Sequence, residues 1–161
     1  MFVLQDEITS RIAVALNLEL IAAETAGPPD DAASLDYLLR GRATLTKPPS
    51  RDNYAEAIGL FEHALALDPR SVEAQGWLAT ALAERVIDFL TDTATAGVAR
   101  AEGLIERALA ASPRLPQAHF AKGQMLRAQG RPEEAIPEYD TKRLISLACA
   151  RPGCRRNNRA P

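Results

Sequence analysis

Apolar side chains recur at three- and four-residue intervals through most of this chain, and Pro, Gly or Ser separates the runs. The clearest run is NYAEAIGLFEHALALDP, Asn53 to Pro69, where Ala57, Phe61 and Ala64 share one helical face and an Asp-Pro ends it. Residues 2–24 carry a stripe of Phe2, Ile8, Ile12, Leu16 and Leu20, with Leu4 and Ala15 beside it and Asp6 and Glu7 near its start. Anions there suit a helix dipole. The stripe predicts an amphipathic helix that packs on its own chain, because a membrane-surface helix would want Lys and Arg on its polar face. Gly27-Pro28-Pro29-Asp30-Asp31 breaks the chain next, so residues 27–33 are read as a linker between the leading segment, 1–26, and the body.

Stop and start signals divide the body into six helices. Ser34 predicts an N-cap, with Asp36 in the first turn, and Lys47-Pro48-Pro49 ends that helix near Thr46. Ser50 caps the next, and Ser71 caps a third that runs through Trp77, Leu78 and Leu82 to about Leu90. Thr91 to Gly97 is a break or a new start, and a fourth helix covers about Val98 to Ala111. Pro116 opens a fifth that Gly130 closes in the left-handed conformation. Pro132, followed by Glu133 and Glu134, starts a sixth. Pro137 lies inside that helix, where it removes one hydrogen bond and predicts a kink.

The second, fourth and sixth helices share a rhythm. Ala57, Phe61, Ala64 and Pro69 answer to Ala101, Ile105, Ala108 and Pro113, each 44 residues on, and Ala135 and Tyr139 follow Ala101 and Ile105 by 34. In the first, third and fifth, Tyr37 and Gly41 answer to Gln75 and Ala79, with Leu78 before it, then to His119 and Gly123. Over roughly Leu35 to Tyr139 this resembles the tetratricopeptide repeat, a helix–turn–helix of about 34 residues in which small residues let two helices cross closely. The resemblance implies an all-α, right-handed superhelical array of about three helix hairpins, preceded by one amphipathic helix. The units are about 35–69, 72–113 and 116–141, within an array of 34–141. The first carries about four extra residues between its helices and the second about ten.

FVLQDEITSRIAVAL, the Pro-rich break, DYLLRGR and KPPSRDNYAEAIGLFEHALALDPRSVEA together resemble a bacterial signalling architecture. In it a class III adenylate/guanylate cyclase domain, or another signalling module, leads into such repeats. On that resemblance residues 2–24 are the last helix of an upstream region, and the chain is a fragment without the catalytic domain. Beyond Asp140-Thr141 the rhythm stops: TKRLISLACARPGCRRNNRAP has no repeat phase, no acid and both cysteines. Residues 142–161 are read as a disordered basic tail, natural or produced by a frame disruption near Thr141.

Composition narrows the function classes. The apolar 47% contains only 5% aromatic residues, so Ala and Leu dominate, and both favour helix. Six basic residues lie from Lys142 onward, which leaves the first 141 residues with 13 basic and 21 acidic side chains. An acidic body argues against nucleic acid as partner. The N-terminus lacks the basic region of a signal peptide and no long apolar span occurs, so a cytoplasmic protein without a membrane role is expected.

No Gly-rich phosphate loop, GxSxG or HExxH occurs, and neither a catalytic, cofactor nor metal site is expected. His63 and His119 read as packing or surface residues, and Cys149 and Cys154 have no second ligand pair. A binding surface remains. In tetratricopeptide arrays the first helices of the hairpins line a groove for a peptide, and by register that lining is Leu38 and Arg42, Trp77, Thr80 and Glu84, then Phe120, Gln124 and Arg127. Trp77 serves equally as a core filler or as an anchor. Arg42 and Arg127 suit a carboxylate or an acidic peptide, or else belong to a solvated face. The Lys/Asn pattern of the chaperone-tail clamp is absent, because the relevant position holds Arg42, Thr80 and Gln124. The implied job is non-catalytic protein–protein interaction. The last unit lacks the polar cap of a terminal repeat, which predicts self-association through Ile136 and Tyr139.

Overall fold

The computed structural model describes residues 29–149, so the leading stripe of 2–24 and the last residues of the basic tail lie outside the described part. Six helices follow in order: α1 Pro29–Leu45, α2 Arg51–Leu67, α3 Val72–Ile87, α4 Ala94–Ala111, α5 Pro116–Ala128 and α6 Pro132–Cys149. They pair as α1–α2, α3–α4 and α5–α6, and each later hairpin leans on the one before through α2–α3, α3–α5 and α4–α5 contacts. The architecture is an all-α helical repeat array.

Local chemistry sets most helix ends. Ser50 Oγ accepts from Asn53 N at 3.1 Å and Ser71 Oγ from Ala74 N at 3.3 Å, each using an amide with no helical partner of its own. Pro116 sits in the first turn of α5, where a missing N–H is harmless. Gly130 closes α5 at φ +74°, with Gly130 N on Arg127 O and Arg131 N on Leu126 O. Residues Asp88 to Leu90 end α3 by the same pair of bonds, but Phe89 takes the left-handed position at φ 56°.

The hairpins interlock through small residues. A Cβ on Gly41 would come within 2.5 Å of Phe61 Cε1, and one on Gly123 within 2.7 Å of Tyr139 Cζ, so each glycine is the hole that receives a ring. The middle unit solves the same problem with Ala79 and the smaller Ile105, both buried. Ala57, Ala64, Ala101, Ala108 and Ala135 are fully buried and keep the helices close. Nine residues of α3 are buried, including Ala74, Gly76, Leu78 and Ala83, which makes α3 the central helix. Pro69 and Pro113 are exposed in the turns, and their carbonyls are used. Gln75 Nε2 donates to Pro69 O at 3.1 Å, and His119 Nε2 lies 3.0 Å from Pro113 O. Gln75 and His119, which stand where the first unit has Tyr37, thus each contact the preceding turn.

The extra residues also find a place. Relative to the third unit, the second has three more in α3, three more in the connection and four more at the start of α4. The first has its additions in the α1–α2 connection and at the start of α2. These extensions meet: Arg51 grips Asp92 with Nη1 at 2.8 Å and Nη2 at 3.2 Å, and Tyr54 Oη donates to Asp88 Oδ2 at 2.6 Å. Burial first, then the Asp88 hydrogen bond and charge, push the Tyr54 hydroxyl well above its ordinary range.

Several expected boundaries need correction. The first body helix starts at Pro29, so part of the expected 27–33 linker is helical and Ser34 is no N-cap. Ser34 is buried instead and donates to Ala64 O at 3.0 Å across the hairpin. A proline starts a helix as readily as a serine caps one, because the first-turn amide needs no partner. α3 ends at Ile87 and α4 begins at Ala94, short of and ahead of the sequence reading. At the other end, residues 142–149 continue α6 and are not disordered tail. Helix runs on through Pro137, whose carbonyl accepts from Thr141 Oγ1 at 2.8 Å.

Candidate functional site

Two grooves open beside the first helices of the hairpins. One lies between α1 and α3, has a volume of about 440 Å³, and is lined by Leu39, Arg42, Thr46, Trp77, Thr80 and Glu84. The Arg42 guanidinium stacks 4.9 Å from the Trp77 ring centroid. Trp77 is half-buried and also stacks on Phe61, at 6.4 Å and 21°. Trp77 therefore extends the core and also floors the groove. Leu38 does not line this groove. It is 5% exposed within the core, and the leucine at the groove mouth is Leu39, 50% exposed, one position further round α1. Thr80 is fully buried, with its hydroxyl donating to Gly76 O at 2.9 Å and accepting from Gln117 Nε2 at 2.9 Å. It positions α3 against α5 more than it meets solvent.

The second groove, about 750 Å³, lies between α5 and α6. Phe120, Gln124 and Arg127 form one wall, and Tyr139, Lys142, Arg143 and Leu147 the other. Phe120 and Tyr139 pack 5.9 Å apart at 50°, and Lys142 Nζ sits 3.9 Å from the Phe120 centroid. Gln124 joins the two grooves. Its Nε2 donates to Glu84 Oε1 at 2.8 Å, while its Oε1 accepts from Arg127 Nη1 at 2.9 Å and from Tyr139 Oη at 2.7 Å. Arg127 is thus engaged with the wall, whereas Arg42 has no carboxylate partner among the described residues. Burial pushes the Glu84 carboxyl above its ordinary range and Asp88 adds to it, against the Gln124 hydrogen bond and the Arg127 charge.

Both histidines have packing roles. His63 stacks on Tyr37 at 5.3 Å and 27°. His119 Nδ1 lies 2.7 Å from Glu138 Oε2, and Lys122 Nζ approaches the other oxygen at 2.6 Å. Burial alone would raise the Glu138 carboxyl, but hydrogen bonds from His119 and Lys122 outweigh it and hold it below the ordinary carboxylate range. Among the described residues, no group of three or more His, Cys, Asp or Glu could hold a metal ion. Of the α6 pair expected to associate, Ile136 is exposed, while Tyr139 is half-buried against Phe120 and Gln124.

Sequence reasoning missed Lys142, Arg143 and Leu147, because residues beyond Asp140 fell outside the repeat rhythm. Lys142 stands where Ala64 and Ala108 stand in the earlier units, and that exchange of small for long was the available signal. Among the described residues, no helix is long and apolar enough to cross a membrane. No curated protein matches the chain. A family model described as tetratricopeptide repeat matches residues 50–86 and 95–142, together more than half of the sequence. With interlocked hairpins, proline-ended second helices and that match in hand, the chain belongs to the tetratricopeptide repeat family.

Proposed function

We propose that this protein is a non-catalytic interaction scaffold that takes an acidic peptide segment in the groove between α1 and α3. The supporting observation is Arg42, exposed and held 4.9 Å over the Trp77 ring with no carboxylate partner among the described residues. A guanidinium already stacked on an indole loses little freedom when it binds a carboxylate, and Arg and Trp often dominate binding energy. Leu39 and Ala43 add apolar wall beside it. Arg127 is a poorer reader, because Gln124 and Tyr139 share its network.

The test is affinity capture with the full chain and with Arg42→Glu, which changes an exposed side chain. The variant is expected to lose its partner while melting at the same temperature. Identical partner lists would overturn the groove assignment. The resemblance of the N-terminal stretch also supports a setting: a cytoplasmic regulatory arm of a cyclase-type signalling protein. Coding sequence upstream of Phe2 and in frame with it tests that setting, and a ribosome-binding site directly before Met1 would oppose it.

A further inference from the structure

The groove between α5 and α6 occupies the place that the first helix of the following hairpin fills in the earlier units. α3 packs on α2 and touches α1, and α5 packs on α3 and α4, so each hairpin receives the first helix of the next. Phe61 meets Trp77 of that following helix, whereas Tyr139, its counterpart, borders an open groove. An occupant shaped like α3 or α5 is therefore helical. The walls add chemistry: Phe120, Tyr139 and Leu147 are apolar, Arg127, Lys142 and Arg143 are cationic, and among the described residues no carboxylate lines the groove. Arg143 makes only a long contact, 3.9 Å, to exposed Asp140. The occupant should be amphipathic and acidic.

Residues 2–24 of this chain fit that description. They carry the stripe Phe2, Ile8, Ile12, Leu16 and Leu20, with four carboxylates, Asp6, Glu7, Glu19 and Glu24, against the single Arg11. At 3.6 residues per turn, Glu19 falls on the apolar stripe, seven past Ile12 and eleven past Ile8. A carboxylate on a buried face needs a cation, and the groove supplies three. The other segment outside the described residues, 150–161, has Arg151, Arg155, Arg156 and Arg159 and no acid, so the groove repels it. Only four residues, 25–28, link the stripe to α1, and α1 touches neither α5 nor α6. The stripe is therefore tethered at the opposite end of its own array, and the donor is a different copy.

We infer that residues 2–24 of one copy seat in the α5–α6 groove of a second. The interface is head-to-tail, so copies add in sequence until a ring closes or the chain ends. It shares the interaction-array reading above but uses a different groove, so the two can fail separately.

The experiment is sedimentation velocity on the full chain from low micromolar concentration upward, with no partner present. Wild type is expected to grow in size with concentration and to shrink at high salt. Two variants should each stay monomeric: Lys142→Glu/Arg143→Glu, which reverses the groove, and Ile12→Asp/Leu16→Asp, which leaves the described array untouched. Their equimolar mixture should form a one-to-one dimer, because each retains the half that the other lacks. Melting curves check that each variant keeps its helices. A monomeric wild type overturns the proposal, as does assembly by the stripe variant alone or a mixture that stays monomeric. Normal assembly with partner lists unchanged by Arg42→Glu shows that the α1–α3 groove reading has failed, and a monomeric wild type whose Arg42→Glu variant loses its partner shows that this one has.

Discussion

Gly41 with Phe61 and Gly123 with Tyr139 are the same interlock in two surroundings. In the first unit the ring is fully buried, because α3 closes over it and Trp77 stacks on it. In the third, no described helix follows, the ring is half-buried, and its hydroxyl bonds Gln124. A phenylalanine suits the sealed site and a tyrosine the one with a wet edge. The same contrast separates Ala64, fully buried, from Lys142, whose long side chain reaches over Phe120. The same glycine–ring interlock therefore accepts different chemistry according to what lies outside it.

The largest test of this contrast is ring deletion. Phe61→Ala should cost about 3–5 kcal/mol in denaturant unfolding, since it empties a closed site. Tyr139→Ala should cost clearly less, and equal losses would remove the distinction. Gly41→Ala comes next, at about 1–3 kcal/mol, because its Cβ meets a ring with no room to move. Adding Phe61→Ile to it should recover part of that loss, since Ala79 and Ile105 already coexist in the middle unit. A double-mutant cycle without coupling would count against this swap.

Helix ends supply a smaller test. Phe89 and Gly130 make equivalent bonds, yet only glycine adopts a positive φ without strain. Phe89 is 88% exposed, so Phe89→Gly should gain about 1 kcal/mol in stability without losing packing. Tyr139→Phe should lose about 1 kcal/mol through the Gln124 bond alone. The smallest effect concerns pH. Glu138 is held below its ordinary value near 4.5, so its contribution is present above that value and is lost as pH falls through the depressed one. Acid melts of Glu138→Gln should accordingly show a shallower loss of stability below about pH 4.5 than wild type.

Much of this was legible in one dimension. Ser50 and Ser71 cap, Pro116 and Pro132 start, and Gly130 stops by chemistry confined to a few residues. The binding surface was less legible. One step along a helix turns a side chain by more than a quarter of a circle, so Leu38 and Leu39 exchanged core and groove on a small register error. Gln75 and His119 answer to Tyr37 in the sequence, but only the fold shows that each meets a turn carbonyl, of Pro69 or Pro113.

The amino-acid sequence by itself determined the repeat family, most helix ends and the pairing of small residues with rings, because these rest on periodicity and local bonds. Only the tertiary structure decided that Ser34 is a buried donor to Ala64, that the inserted turns grip each other through Arg51 and Tyr54, and that α6 runs on to Cys149 beside an open seat. The first two depend on groups that meet across 30 to 41 residues of sequence. Local pattern carries no record of such meetings.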